Sequence, residues 1–228
     1  MILKKQLEHR ATFFLLAFQL VREAILDGKL QDLFHQEMFR HRLATPVMLD
    51  LDMFIPPKNI VPKGFLFVEL MPDEILAGKW SFAVPSRSLK AQHYIKKGLR
   101  IFAFTNDSVV VGDLWCVTQR QGGVAVAHPD LDMLGIHCKD REAYVFDVFI
   151  APAYRGKNLA IPFQTSFHAK LKSEGYRKLY SYYYDDNLPS MRMHRMLKFE
   201  KMLKLRVSRF FFYKKIEEVD IKAIAPQR

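Results

Sequence analysis

The sequence predicts an α+β fold with a mixed sheet that includes one parallel strand pair joined by a right-handed crossover. Three observations predict it. Two β-rich runs flank a turn near Asn106; an apolar strand, a helix and another strand follow one another from Tyr144 to Tyr184; a helix and a basic strand come last. Antiparallel strands close through short turns, whereas strand–helix–strand order calls for a parallel crossover, so one sheet should hold both kinds of pairing.

Taken in order, Phe13, Ala17, Leu20, Val21, Ala24 and Ile25 keep helical spacing, with Gly28 as a stop. Leu30, Leu33, Phe34 and Met38 mark a second helical face. Thr45-Pro46 and Pro56-Pro57 punctuate a less regular stretch. "GFLFVEL" (Gly64 to Leu70) reads as a strand, and residues 86–97 as a helix ended by Gly98. "RIFAF" and "SVVVGDLWCVT" around Thr105-Asn106-Asp107 form a hairpin signal, followed by loops at "QGG" (121–123) and "HPD" (128–130). "AYVFDVFI" is apolar enough to be buried on both faces. The helix "AIPFQTSFHAKLKSEG" has Pro162 in its first turn and Gly175 at its end. "YRKLYSYYY" is a strand, "LPSMRMHRMLKF" a helix, and "LKLRVSRFFFYKK" a single final strand. The expected organisation is a helical N-terminal part (1–60) packed on the same domain, a core (61–215) and a tail (216–228).

Half of the 228 residues are hydrophobic, which suffices for a sizeable core. Cys116 and Cys138 sit in no CxxC pair, so neither a disulfide frame nor a metal site is expected. The apolar run Ala11 to Val21 is too short to span a bilayer, and no cleavage site follows it. A cytoplasmic protein without stable membrane insertion is the expectation. Lys and Arg number 18 against 17 Asp and Glu over residues 1–150, and 17 against 7 over residues 151–228. The excess of +11 therefore lies almost wholly in the last third, and attracts an anionic partner.

That excess begins at "FDVFIAPAYRGKNLAIPF", Phe146 to Phe163. Where a strand feeds a helix through a short turn, the first helical N–H groups point outward and, with the helix dipole, favour a phosphate. Arg155 and Lys157 add full charges there, Gly156 permits close approach, and Ala160 keeps the first turn open. The turn is neither a Walker loop nor a GxGxxG, which disfavours nucleotide hydrolysis and dinucleotide binding. A solvated basic loop is the other reading of the same residues.

The stretch "DVFIAPAYRGKNLA" resembles the cofactor-binding signature of the GNAT superfamily of acyl-CoA-dependent N-acyltransferases, with Arg155 and Ala160 matching and Asn158 replacing the usual central glycine. "NLPSMRMHRMLKF" is similar to a second family helix: Asn187, Ser190, His194 and Phe199 fall at its spacings, with His194 for the usual Tyr and Lys198 for the usual Gly. Gly112, in the hairpin, also stands at a familiar place. The likeness covers residues 100 to 213 well and the rest only by element order, and it implies an α/β/α sandwich-like fold whose mixed, mostly antiparallel central sheet has a splayed parallel strand pair.

The resemblance implies direct attack of a primary amine on the thioester of acetyl-CoA or another acyl-CoA, with no metal. It implies that Val148, Phe149 and Ile150 hold the pantetheine and polarise the carbonyl. The amides of Gly156, Lys157, Asn158, Leu159 and Ala160, with Arg155, would take the pyrophosphate. Asp147 is the first candidate base, with Glu142, expected near the exposed start of its strand, as substitute; Asp147 bonding a neighbouring loop or facing solvent at the strand edge is the alternative. His194 stands where a Tyr would protonate the thiolate, or is an interfacial histidine. Ser190 bonds either cofactor or its own helix, and Asn187 caps that helix or touches cofactor. Tyr180, Tyr182, Tyr183 and Tyr184 suit an acceptor cleft or plain β-propensity.

Other functions stay open at this point. Apolar N-terminal helices and 19 phenylalanines would wall a longer acyl tail, delivered by CoA or a carrier protein. The interleaved bases and aromatics of "RMHRMLKFEKMLKLRVSRFFFYKK" suit nucleic acid, though less well than a CoA site does. A CoA-binding protein without turnover is a third possibility, and a homodimer is left open.

Overall fold

The computed structural model describes residues 18–19, 21–22, 25, 39–57, 61–118, 120–121, 124–125, 128–210 and 213–219. Its strands are β1 (Phe39–Asp50), β2 (Leu66–Leu70), β3 (Ser81–Phe82), β4 (Arg100–Asn106), β5 (Val109–Thr118), β6 (Arg120–Gln121), β7 (Val124–Ala125), β8 (Glu142–Ile150), β9 (Lys178–Tyr184), β10 (Glu200–Lys201), β11 (Leu205–Phe210) and β12 (Tyr213–Glu218). Its helices are α1 (Pro72–Leu76), α2 (Pro85–Ile95), α3 (Pro129–Leu134), α4 (Ala160–Ser173) and α5 (Leu188–Met196). Residues 18, 19, 21, 22 and 25 are helical, as their spacing predicts. The rest of that segment and the second helical face (Leu30 to Met38) lie outside the described residues.

The main sheet runs β12-β11-β1-β9-β8-β5-β4-β2, with β10 beside β1 and β3 beside β5; β6 and β7 form a separate hairpin. All its long pairs are antiparallel except β8 with β9, joined through α4. The chain adopts the expected mixed, mostly antiparallel α+β sheet with that parallel pair, and the two-residue β3 adds a second parallel pairing against β5. The hairpin between β4 and β5 turns through Asp107 and Ser108, one step later than the sequence suggests. Asp107 takes a φ of +54°, as such tight turns need.

Two expectations need correction. The first is the irregular stretch around Pro46, within the part read as helical. Residues 39–50 are instead a strand deep in the sheet, pairing β9 on one side and β10 and β11 on the other. Proline argues against an inner strand because it cannot donate to a ladder. Here pairing with β11 stops at Ala44 and pairing with β10 starts at Val47, so Pro46 falls in the gap. Its carbonyl accepts from Met202 N–H at 2.9 Å on that same side, so the missing N–H faces a break where no ladder partner stands. The second is the last strand, which is a hairpin of β11 and β12. Nothing between Phe210 and Tyr213 is a turn former, so the reversal leaves no trace in composition.

Each face of the sheet carries its own core. On one, Ala91 and Ile95 of α2 pack with Trp115, Tyr144 and Phe146. On the other, α4 sets Phe163, Phe167 and Leu171 at i, i+4 and i+8 against Phe102, Phe104, Leu114 and Val145. Beside that stripe His168 is 0% exposed, edge-on to Phe54 and Phe199 at ring distances of 5.4 and 5.6 Å. Neither ring nitrogen has a hydrogen-bond partner among the described residues.

Burial therefore lowers the His168 pKa to about 3. Above the ordinary imidazole value neither folded nor unfolded chain holds the proton; below it only the unfolded chain does. Stability should then fall by roughly 1.4 kcal/mol per pH unit from this group as pH drops below about 6. Urea melts of wild type and His168→Phe over about pH 7 to 4 check this, and the variant should lose that much of the slope. An equal slope in both would show that the folded core accepts the proton.

Candidate active site

β8 and β9 pair at only three positions, Glu142↔Lys178, Ala143↔Leu179 and Tyr144↔Tyr180. Past these they separate, and the cause lies on the far side of β8. Against β5 the register jumps from Trp115↔Phe146 to Asp113↔Phe149, so Asp147 and Val148 together oppose Leu114. Such an extra residue bends its strand and strengthens its twist. Asp147 sits in the bulge at φ +53°, in the left-handed region that Asp tolerates better than most. The result is a cleft of about 580 Å³. Phe146 to Ile150 form one wall and Ser181 to Tyr184 the other, with Asn187 just before α5, Ser190 and His194 on it, and Arg155 and Ala160, completing it.

The predicted anion turn lies next to it. Arg155, Gly156, Lys157 and Asn158 are exposed, and Gly156 and Asn158 have φ of +77° and +54°. The usual glycine position thus keeps its left-handed backbone with Asn in place. Leu159, buried, is the residue before α4 and gives it no side-chain cap. The first bond from inside α4 is Phe163 N–H to Leu159 O at 3.0 Å, so the amides of Ala160 and Ile161 precede the helical ladder. Arg155 Nε donates to Ile150 O at 3.0 Å, which parks the guanidinium at the end of β8. The ammonium of Lys157 stands 4.7 Å from the Tyr154 ring centre.

Asp147 is not free. Its carboxylate takes both Arg87 Nη1 (3.1 and 3.0 Å) and Lys90, while Arg87 also clamps the buried Asp113. Burial pushes the Asp147 carboxyl up, but the charges of Arg87 and Lys90 outweigh it and hold it below the usual range. Asp113, more deeply buried, goes up. Asp147 therefore bonds α2 rather than a neighbouring loop.

Glu142 is buried, against the expectation of exposure, because the paired start of β8 covers it. It accepts from Lys139 N–H (2.9 Å) and Tyr180 O–H (3.3 Å) and does not line the cleft. Asn187 Oδ1 accepts from Ser190 N–H at 3.3 Å, the capping role weighed for it, while still touching the cleft.

His194 is 4% exposed, between Tyr183 and Phe199. Its Nδ1 lies 2.8 Å from Ser190 O and its Nε2 3.2 Å from Ser181 Oγ. Burial pulls its pKa down, against the opposing effect of the Ser190 carbonyl, so the ring is neutral. Strand alternation places Ser181 and Tyr183 on the His194 side and Tyr180, Tyr182 and Tyr184 on the other, where they pack against the α2 face. The sequence reading passed over Ser181, Arg87, Lys90 and Asp113. The small residue alternating inward within a tyrosine run was the available signal for Ser181; nothing local marks the other three.

No family model and no curated protein matches the chain. Solved structures match it in shape. The GCN5-related glucosamine N-acetyltransferase region of a fungal multi-domain GH3 β-N-acetylglucosaminidase aligns with a TM-score of 0.52 and 17% identity, covering 79% of this chain and 22% of that one. A GCN5-related N-acetyltransferase from Sphaerobacter thermophilus gives 0.49 and 15%, covering 85% and 58%. A tandem GNAT protein from the clavulanic acid biosynthesis pathway gives 0.49 and 17%, covering 78% and 54%. This chain thus spans less than two thirds of each of these relatives. The chain has the fold of the GNAT superfamily.

Two left-handed residues stand where the family signature has glycine: Asn158 at the turn and Lys198 (φ +60°), which follows α5. Phe199 N–H bonds to His194 O (3.0 Å) there, the six-to-one bond of a Schellman end. Lys198→Gly should stabilise the fold by about 1 kcal/mol, and Asn158→Val should cost about 1–2 kcal/mol. Urea unfolding midpoints report both, and a destabilised Lys198→Gly would contradict the left-handed assignment.

Proposed function

We propose that this chain is an acyl-CoA-dependent N-acyltransferase that moves an acetyl or longer acyl group from the CoA thioester to a primary amine. One observation carries the reading: the cleft opened by the β8 bulge runs from His194 to the uncapped start of α4. A long substrate with an acyl end and a diphosphate suits such a channel. Past Tyr144 the β9-facing edge of β8 is released from its ladder, so Val148 to Ile150 can offer backbone hydrogen bonds to an amide-bearing arm. The amides of Gly156 to Ala160, with Arg155 and Lys157, suit a diphosphate, because oriented N–H groups and exposed cations act on the same oxygens.

In this reading the amine attacks the thioester directly. Backbone N–H groups at the bulge stabilise the oxyanion as charge develops, held in place by the sheet rather than by mobile side chains. Asp147, ionised and paired with two cations, is a poor proton acceptor. Its work is to hold the bulge, and the proton traffic falls to the α5 side of the cleft.

Isothermal titration with acetyl-CoA, CoA and longer acyl-CoAs, followed by thiol release with a panel of primary amines, tests the proposal. Arg155→Glu should weaken CoA binding by at least about tenfold, some 1.4 kcal/mol, and leave acetyl-pantetheine, which has no diphosphate, unaffected. Absence of binding heat with every thioester would end the proposal.

A further inference from the structure

Ser181 is the first residue of β9 past its last pairing with β8. It is 4% exposed, lines the cleft, and its Oγ is 3.2 Å from His194 Nε2. The other imidazole nitrogen settles the direction of that bond. His194 Nδ1 lies 2.8 Å from the Ser190 carbonyl, and a carbonyl only accepts, so Nδ1 carries the proton. Nε2 then bears a lone pair and receives the Ser181 O–H. The hydroxyl oxygen keeps lone pairs of its own for a second proton.

We infer that Ser181 and His194 form a two-way proton relay serving the acyl transfer proposed above, an inference that rests on that reading. The chemistry balances without a further reagent. Attack of a neutral amine on the thioester carbon gives a tetrahedral adduct with N–H positive and oxygen negative. The adduct's nitrogen gives a proton to Ser181 Oγ as Ser181 passes its own to His194 Nε2. The carbon–sulfur bond then breaks, its bonding pair going to the sulfur as that atom takes up a proton. His194 Nε2 returns its proton to Ser181, whose hydroxyl proton goes to the sulfur. The products are an amide and a thiol, and both side chains end as they began.

A neutral imidazole is what such a relay needs at its start. His194 cannot, in this tautomer, hand a proton straight to a thiolate from Nε2. It must first collect one, and the amine is the source. This explains how a histidine can stand where the family signature has a tyrosine: the hydroxyl that meets the leaving group is supplied from β9 instead of α5. Ser190 does not substitute for it, since its Oγ lies 3.4 Å from Nδ1, the nitrogen already committed to the helix carbonyl.

The test uses the full chain with acetyl-CoA and whichever amine of the panel releases thiol fastest. Ser181→Ala should lower kcat by about 100-fold, the scale of one general acid–base group, with KM for acetyl-CoA unchanged. Ser181→Cys, which keeps an exchangeable proton at the same atom, should recover part of the loss. The double variant Ser181→Ala/His194→Asn should be no slower than the slower single, because the two act as one unit. With the selenol ester analogue of acetyl-CoA, whose selenolate needs no proton to leave, the Ser181→Ala defect should shrink by at least about tenfold. A hydroxyl that merely bolts β9 to α5 would give equal defects with both donors, and that result overturns the relay. So does an acetyl group found on Ser181 after incubation without amine, which would make it a nucleophile. If the wild type binds no thioester or releases no thiol with any amine, acyl transfer itself falls, and the relay with it; an active wild type with an equally active Ser181→Ala removes the relay alone.

Discussion

The fork between β8 and β9 is the constraint on which the rest of the site depends. Two parallel strands joined by a helix would ordinarily stay paired along their length, with no room between them. One extra residue in β8 against β5 breaks that continuity, and it lies three residues past the last β8–β9 pair. The bulge needs a left-handed residue in an apolar strand, and Asp147 supplies it at a conformational cost of about 1–2 kcal/mol. Arg87 and Lys90 from α2 grip its carboxylate, so the strained residue is tied to a helix across the sheet. The residue that the sequence offers as a base is, in the fold, pinned by two cations.

That pin has its own electrostatic demand. Arg87 is buried, and its guanidinium is held charged against burial by Asp147 and Asp113. A buried ion pair gives little net stability, since desolvation cancels much of the attraction, yet losing one partner is expensive. Such a cluster is better understood as fixing one geometry than as strengthening the fold. Two carboxylates and two cations meet there, whereas Arg155 and Lys157 stand exposed at the turn before α4.

The central architecture was legible because it rests on local signals. Alternating and continuous apolar runs marked β4, β5, β8 and β9, and Pro162 and Gly175 framed α4. The turn Arg155 to Ala160 announced itself by charge at a strand-to-helix junction. What could not be read depends on distant partners. Pro46 disguises a strand whose proline is tolerated only because β10 and β11 part beside it. The β11–β12 reversal has no turn residue to betray it. Arg87 and Asp113 lie 26 positions apart and meet only once α2 and β5 are in place. Glu142 looked exposed because a strand's start usually is, but β9 and the loop before β8 cover it.

The departures from the family signature test whether residue identity or backbone path is what the site requires. Glycine at Asn158 and Lys198 would be explained by a need for positive φ, and both positions have it. The chain therefore keeps the path and accepts side chains that fit it less well. At Lys198 the path ends α5 so that Phe199 returns against His194, and at Asn158 it leads the exposed turn into α4. His194 follows the same logic one step removed. The helix holds His194 in place, and Ser181 on the facing strand sets its hydroxyl oxygen 3.2 Å from the ring. Since backbone geometry is set by the sheet and by helix ends, it survives substitutions that erase the sequence pattern. That is why shape identifies the fold where no sequence match does.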